Sequence, residues 1–308
     1  SIVINTIFLM LIFVIITINI SNWEINNPKI YRYNIRSTKL KKAHKFVYIS
    51  DLHEKEFGED NKELIAKIDG LNPDFILIGG DLIRCRKVHD PEKYRDRDKI
   101  EVTVKLLENL KSKYDIYFAY GNHEQRLMDK AGFNDCNETS KYDKYIQDIS
   151  LERVNSFNQA LEGINVLDDE TVSFTDFDIT GFTLPLKFYK PLFMKSKERL
   201  TEEDISLHIP KPDNGKFHVI MLHTPMYYKE MIDYGADLVL SGHYHGGTVR
   251  LPFLGALMTP QFQFFVKECA GEFKYKTGTL IATRGLGTHS INIRINDRPE
   301  ISFITIEP

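Results

Sequence analysis

Five short apolar runs in this chain stop at the same kind of residue. KFVYIS (45–50) leads into Asp51 and His53, and DFILI (74–78) into GGD with Asp81. DIYFAY (115–120) leads into GNHE with Asn122 and His123. FHVIML (217–222) ends at His223, and DLVL (237–240) runs into SGHYHGG with His243 and His245. Apolar runs of this length closed by glycine suit strands buried on both faces. Amphipathic stretches separate them: NKELIAKIDG (61–70), KIEVTVKLLENLKS (99–112), most of 140–162 and PMYYKEMIDYG (225–235). Strand and helix signals in alternation predict βαβ units. The last fifty residues, with TGTLIATRG, SINIRI and EISFITIE, add an antiparallel portion, so the class is α/β (α+β).

In open α/β sheets, sites form where strands reach their carboxyl ends. Each strand end taken alone has a plain structural reading. A lone histidine is a satisfied polar residue, an aspartate after a strand is a cap or turn former, and an asparagine after glycine is a turn. Five independent strand ends carrying Asp, His and Asn are explained together only by a shared site. Imidazole and carboxylate ligands in mixture suit divalent ions such as Mn, Fe, Zn or Ni better than the oxygen-seeking Ca or Mg. Asp51, His53, Asp81, Asn122, His223, His243 and His245 are too many ligands for one ion and divide between two if Asp81 bridges. Two ions roughly 3.5–4 Å apart can bind a phosphoryl group and acidify a water.

In that order, D-x-H, G-D, G-N-H-E, a lone histidine and G-H-x-H closely resemble the calcineurin-like metallophosphoesterase superfamily, over roughly residues 45–250. The longer stretches GHYHGGTVRLP and TRGLGTHSINIRINDRPEI resemble its membrane-associated bacterial branch. Some members of that branch are UDP-2,3-diacylglucosamine pyrophosphatases, and others are general phosphodiesterases or phosphatases. The resemblance implies a two-sheet β-sandwich flanked by α-helices. It implies that Asp51, His53, Asp81 and His245 hold one ion, and that Asp81, Asn122, His223 and His243 hold the other. His123 is similar to the family's non-ligand histidine, which stabilises the transition state or protonates the leaving oxygen. The implied reaction is hydrolysis of a phosphate ester or pyrophosphate by in-line attack of a metal-bridging hydroxide, on a lipid-linked or nucleotide-linked substrate. The alternative is a catalytically silent metal-bound scaffold acting as a protein-interaction module. Many relatives carry an acid three residues after the G-D aspartate, where this chain has Arg84. His123 is then left to Glu124, a backbone carbonyl or another acid for its orientation. Arg84 itself reads either as a loop charge or as a phosphate contact.

The amino terminus is of another kind. SIVINTIFLMLIFVIITINISNW carries no charge from Ser1 to Trp23, and about 20 helical residues span a bilayer's hydrocarbon core. No small-residue cleavage site follows, which predicts a retained single-pass anchor rather than a removed signal. The expected division is an anchor at 1–22, a linker at 23–43 and the metallophosphoesterase domain at 44–308. Lys29, Arg32, Arg36 and Lys39 outnumber Glu24 and favour a cytoplasmic body. Basic residues ahead of Ser1 would reverse that bias, so the side of the membrane stays open. With 40 basic and 43 acidic residues, no polyanion partner is indicated and nucleic-acid binding is not expected. Cys85, Cys136 and Cys269 form neither a disulfide framework nor a CxxC pattern. Arg84, Arg86 and Lys87 are either a solvated loop or the rim of an anionic site. PLKFYKPLFMKS (185–196) and LPFLGALMTPQFQFF (251–265) are apolar without clean periodicity, which leaves core, an acyl-chain groove or a bilayer-facing surface open. Arg284 and Arg294 are open between structural and substrate-proximal roles.

Overall fold

The computed structural model describes residues 2–85, 99–131, 144–189, 199–251, 253–259, 264–288 and 292–308. Arg86, Lys87, Cys136 and residues 190–198 lie outside the described residues. The strands fall into two six-stranded sheets. The first is ordered β1 (Lys29–Arg36), β14 (Glu300–Glu307), β2 (His44–Ile49), β3 (Phe75–Ile78), β4 (Ile116–Phe118) and β5 (Asn165–Val166). The second is ordered β12 (Gly271–Tyr275), β13 (Gly278–Ala282), β9 (Leu238–Ser241), β8 (Phe217–Leu222), β7 (Phe177–Phe182) and β6 (Thr171–Ser173). A separate hairpin joins β10 (Val249–Leu251) and β11 (Gly255–Met258).

Side-chain alternation along the strands builds the layers. On β2, Phe46 and Tyr48 face the second sheet while Val47 and Ile49 face helices. On β8, Phe217, Val219 and Met221 meet the first sheet, and Ile220 and Leu222 turn outward to another helical layer. Outside the first sheet lie α2 (Lys62–Asp69), α3 (Ile100–Lys111), α4 (Asn122–Ala131) and α5 (Lys144–Leu161). Outside the second lie α6 (Glu202–Ser206) and α7 (Tyr228–Tyr234). The result is helix, sheet, sheet, helix, with an apolar core in each of the three gaps. Strands buried on both faces explain the continuous apolar runs.

The structure departs from the sequence expectation at two places. The expected linker is not one: α1 (Ile2–Asn26) continues to Asn26, and β1 pairs in parallel with β14 along its whole length. Its alternating KIYRYNIR, with Lys29, Arg32 and Arg36 outward, is a charged edge strand. The parallel stretches divide between two packed sheets, as the resemblance implied. Of SINIRI, the described residues 292–295 form no strand; Ile295 makes a single bridge to Val249, and the Arg294 side chain is buried. Helix α1 is long and apolar enough to cross a membrane, and its side chains are solvent-facing up to Ile20.

Candidate metal centre

All five strand ends deliver their polar residues to the same side of the sandwich. Asp51 and His53 follow β2, Asp81 follows β3, Asn122 and His123 open α4 after β4, His223 follows β8, and His243 and His245 follow β9. Five of these residues, Asp51, His53, Asp81, His243 and His245, adopt positive φ between 48° and 69°. Side chains held in that sparsely populated region are over-determined by their surroundings, as at functional sites. The glycines have a specific task here. A Cβ at Gly121 would lie 2.2 Å from Asp81 Oδ1, and one at Gly242 would lie 2.1 Å from Asp51 Oδ2. Only glycine lets these loops close over the carboxylates.

The inward atoms form overlapping clusters. Ligand atoms of Asp51, His53 and His245 lie within 4.8 Å of one another, as do those of Asp81, His223 and His243, and those of His53, Asp81 and His123. Asp81 Oδ2 is the hub, at 3.0 Å from His223 Nε2 and 3.9 Å from Nε2 of both His53 and His123. Its other oxygen accepts the His123 backbone N–H at 2.8 Å, which fixes the carboxylate plane. Asp51 Oδ1 lies 3.4 Å from His245 Nε2 and 3.8 Å from His223 Nε2, and the His243 backbone N–H reaches Asp51 at 3.1 Å.

Three observations fit a metal. His223 Nδ1 sits 2.7 Å from the Gly79 carbonyl and His245 Nδ1 sits 3.1 Å from the Gly287 carbonyl. Each ring therefore carries a proton on Nδ1 and turns Nε2 inward, where a bound cation would take the place of any second proton, the usual arrangement of ligating imidazoles. Nε2 of His53 and Nε2 of His245 approach to 3.1 Å, a contact that a shared proton or a shared cation would satisfy. The Asn122 amide ends 3.0 Å from His243 Nδ1, where its NH2 donates when no ion is bound. Its oxygen could face that nitrogen with a cation between them or with a proton on the ring.

The electrostatics agree. Burial alone would raise Asp81, but the surrounding His223, His123 and His53 hold it well below the usual carboxylate range. Burial would lower His223, but Asp81 and Asp51 push it up to about 10. Burial, assisted by Asp81, pushes Asp51 up to about 6 against the pull of His223. Protons thus gather at this concentration of negative charge, as a cation would.

Among the described residues, the partner of His123 Nδ1 is none of the three groups named from the sequence. Its Nδ1 accepts the Cys85 backbone N–H at 2.8 Å, which assigns the proton to Nε2, the atom facing Asp81. Glu124 has a different task. Its carboxylate accepts from the backbone N–H of Asp81 at 2.8 Å, Leu82 at 2.9 Å and Gly121 at 3.0 Å, and so clamps the two loops together. Burial, then the nearby Asp81 charge, pushes it up to about 7. Arg84 donates from Nη2 to the Thr288 carbonyl at 2.6 Å.

Three residues near the centre escaped the sequence reading. Arg153 on α5 pairs with Glu54 and donates to the Arg84 carbonyl at 2.6 Å, and Glu54 also accepts the Arg84 backbone N–H at 3.0 Å. This buried pair fixes the loop that presents the Cys85 N–H. Tyr189 places its ring 5.2 Å from His243 and 6.2 Å from His223, with a buried hydroxyl that has no partner among the described residues. Glu54 could have been suspected from its place in SDLHE; a lone arginine inside an amphipathic helix carries no signal.

Residues 44–247 match the family model of the calcineurin-like phosphoesterases. The uncharacterized metallophosphoesterase YkuE of Bacillus subtilis (strain 168) is 24% identical over 267 residues, covering 85% of this chain and 79% of that protein. A transmembrane protein with metallophosphoesterase domain from Danio rerio is 25% identical over 293 residues, 91% of this chain and 57% of that protein. Phosphodiesterase YaeI of Escherichia coli (strain K12) is 31% identical over 88 residues, 29% of this chain and 32% of that protein.

Proposed function

Since the chain belongs to the calcineurin-like phosphoesterase family, a family of metal-dependent phosphoester hydrolases, we propose that it is a dinuclear phosphodiesterase or pyrophosphatase anchored to a membrane by α1. Asp51, His53, Asp81 and His245 hold one ion, and Asp81, Asn122, His223 and His243 hold the other. The position of Asp81 Oδ2 between the two histidine clusters supports its role as the bridge. Two divalent ions of the Mn, Fe, Zn or Ni type, when bound, supply Lewis acidity toward phosphoryl oxygens and lower the pKa of a water.

The chain's own groups do the rest. His223 and His245 are fixed by backbone carbonyls, so the site is organised before substrate arrives. Glu124 holds the Asp81 and Gly121 loops in register. Water contributes the oxygen of the new P–O bond and the ester oxygen leaves phosphorus; the proton released by the water neutralises the leaving oxygen, and the Nε2–H of His123 donates a hydrogen bond to the charge that develops there. The name of the Escherichia coli relative favours diesters, and an anchored body suits a phosphoester or pyrophosphate carried by a lipid. From β1 onward the chain acts as one catalytic body.

The observation that carries this reading is the convergence of seven ligand side chains from five strand ends, with two imidazoles pre-set by carbonyls. Full-length protein in detergent should contain two divalent ions per chain and hydrolyse bis-(p-nitrophenyl) phosphate. His123→Ala should keep both ions and lose about 10²–10⁴ in turnover. Full turnover in that variant would remove His123 from the mechanism, and one ion or none would end the dinuclear reading. Two bound ions without hydrolysis of any phosphoester, UDP-diacylglucosamine included, would favour the silent scaffold.

A further inference from the structure

Outside α1, the described residues expose seven large apolar side chains, and five of them belong to one neighbourhood: Phe253, Leu254, Phe264, Phe265 and Ile293. Phe253 and Leu254 sit at the turn between β10 and β11. Phe264 bridges to Met258 of β11, and the Phe265 N–H reaches the Leu257 carbonyl at 3.2 Å. Phe253 also holds a φ of 66° with its side chain fully exposed. A bulky aromatic in the left-handed region is unfavourable, and among the described residues none buries it there.

This patch is tied to the base of α1 by a single short segment. On one side, the Arg250 N–H donates to the Ile295 carbonyl at 3.0 Å and the Ile295 N–H to the Thr248 carbonyl at 3.1 Å. On the other, the Arg294 N–H donates to Ser21 Oγ at 3.0 Å and the Asp297 N–H to Glu24 Oε2 at 3.0 Å. Arg298 donates to the Asn27 carbonyl at 2.9 Å and lays its guanidinium 4.7 Å from the centre of the Trp23 ring.

The helix leaves no spacer. Its exposed apolar stretch runs from Ile2 to Ile20, and Ser21 is already buried against the body. Those residues measure about 28 Å along the axis, close to the roughly 30 Å of a hydrocarbon core. The body therefore begins at the level where hydrocarbon ends. Phe253 lies three residues beyond Arg250, a reach of about 10 Å at most, comparable to the depth at which interfacial side chains settle.

We propose that Phe253, Leu254, Phe264 and Phe265 form a second membrane contact, seated in the interface of the bilayer that α1 crosses. The proposal rests on the reading of α1 as an anchor. The hairpin is also the direct continuation of the metal loop: β10 follows His245–Gly247, and a Cβ at Gly247 would lie 2.4 Å from the Ala256 Cβ. With α1 and the hairpin both in the bilayer, the body is fixed at two points. The mouth of the metal centre is then held at the lipid surface, where phosphoesters displayed by lipids lie within reach.

Trp23 is the only tryptophan, which makes the test direct. Full-length W23F/F253W is reconstituted in phosphatidylcholine–phosphatidylglycerol vesicles with and without lipids brominated near the headgroup. The contact predicts loss of roughly half the emission with brominated lipid and protection from iodide, as for a side chain at interfacial depth. Wild-type Trp23 in the same vesicles, together with vesicle flotation, reports the anchor separately. Flotation with Phe253→Trp untouched by brominated lipid overturns the contact and leaves the anchor standing. Protection from iodide without quenching by lipid also overturns it, pointing to a second copy of the chain as the cover. Failure to float removes the anchor and the contact together. A second variant, F253D/L254D, should keep its rate on soluble bis-(p-nitrophenyl) phosphate and lose rate on a vesicle-borne phosphodiester; equal rates on both substrates would again overturn the contact.

Discussion

Two buried polar clusters lie side by side in this protein and are built on opposite principles. One is the metal centre. The other joins Arg284, Arg294, Asp297 and Glu300 beneath the end of α1. They share an atom: the Gly287 carbonyl faces His245 Nδ1 at 3.1 Å and accepts from Arg294 Nη2 at 2.6 Å. In the second cluster every charge has its opposite, with Arg294–Asp297 at 3.1 Å, Arg284–Glu300 at 2.7 Å and Arg284–Asp297 at 3.4 Å. In the first, two carboxylates meet only imidazoles and an amide, and their charge is offset only by protons taken up on the imidazoles, His223 above all. Burial is equally deep in both, so burial does not mark the functional one. Unbalanced charge with pre-oriented ligand atoms does. The balanced cluster is still expensive to desolvate: burial pushes Asp297 up to about 6 despite its two arginine partners. Its role is alignment of the 284–298 segment more than net stabilisation.

If the two clusters differ in this way, removing a charge from each should give opposite results. Asp81→Asn should cost on the order of 10³-fold or more in turnover and most of the bound metal. The metal-free variant should lose less stability to denaturant than Arg294→Met does, since the histidines around Asp81 can give up the protons that offset its charge. Arg294→Met should leave Asp297 with Arg284 as its close partner and should lower stability by about 3 kcal/mol, read by urea unfolding in detergent. Comparable destabilisation by both substitutions would break the comparison. Stripping the metal with a chelator should lower the melting temperature of the parent and leave that of Asp81→Asn unmoved, because an ion that binds only the folded state stabilises by mass action.

A smaller effect belongs to the clamp between the loops. Glu124→Gln keeps the shape but replaces one acceptor oxygen with an amide NH2 that faces backbone donors. Loss of such support around a metal centre costs about 10–100-fold in metal affinity or activity. Metal titration of the variant measures it, and unchanged affinity would reduce Glu124 to a structural buffer between loops.

What the sequence made legible follows from range. Each strand end is a local pattern, an apolar run, a turn and a polar residue within ten positions, so the strands bearing Asp51, Asp81, Asn122, His223 and His243 could be read directly. The division into two sheets could not, because βαβ units in either sheet have the same local pattern. Strand β1 escaped because its partner β14 is some 270 residues away, and polar alternation near an anchor looks like a tether. SINIRI misled in the other direction, since Arg294 is held by tertiary bonds that periodicity does not encode. The orientation of His123 was hidden for a simpler reason: its partner is the backbone N–H of Cys85, and a backbone donor has no residue identity.

The smallest predicted effect tests where the two regions stop influencing each other. Ser21 Oγ is the acceptor for the Arg294 backbone N–H at the foot of α1. Ser21→Ala leaves that buried N–H unpaired and should lower stability by about 1–2 kcal/mol. Arg294 and His245 meet at the same Gly287 carbonyl, so a displaced Arg294 has a short route to the metal centre. The His245 ring is nevertheless also fixed by its place in the His243–Gly247 turn and by Asp51. Metal content and turnover on a soluble diester should therefore stay at the parent level while the unfolding midpoint falls. A turnover loss that tracks the stability loss would show that the foot of the anchor and the metal centre behave as one cooperative unit, with the Gly287 carbonyl as the link.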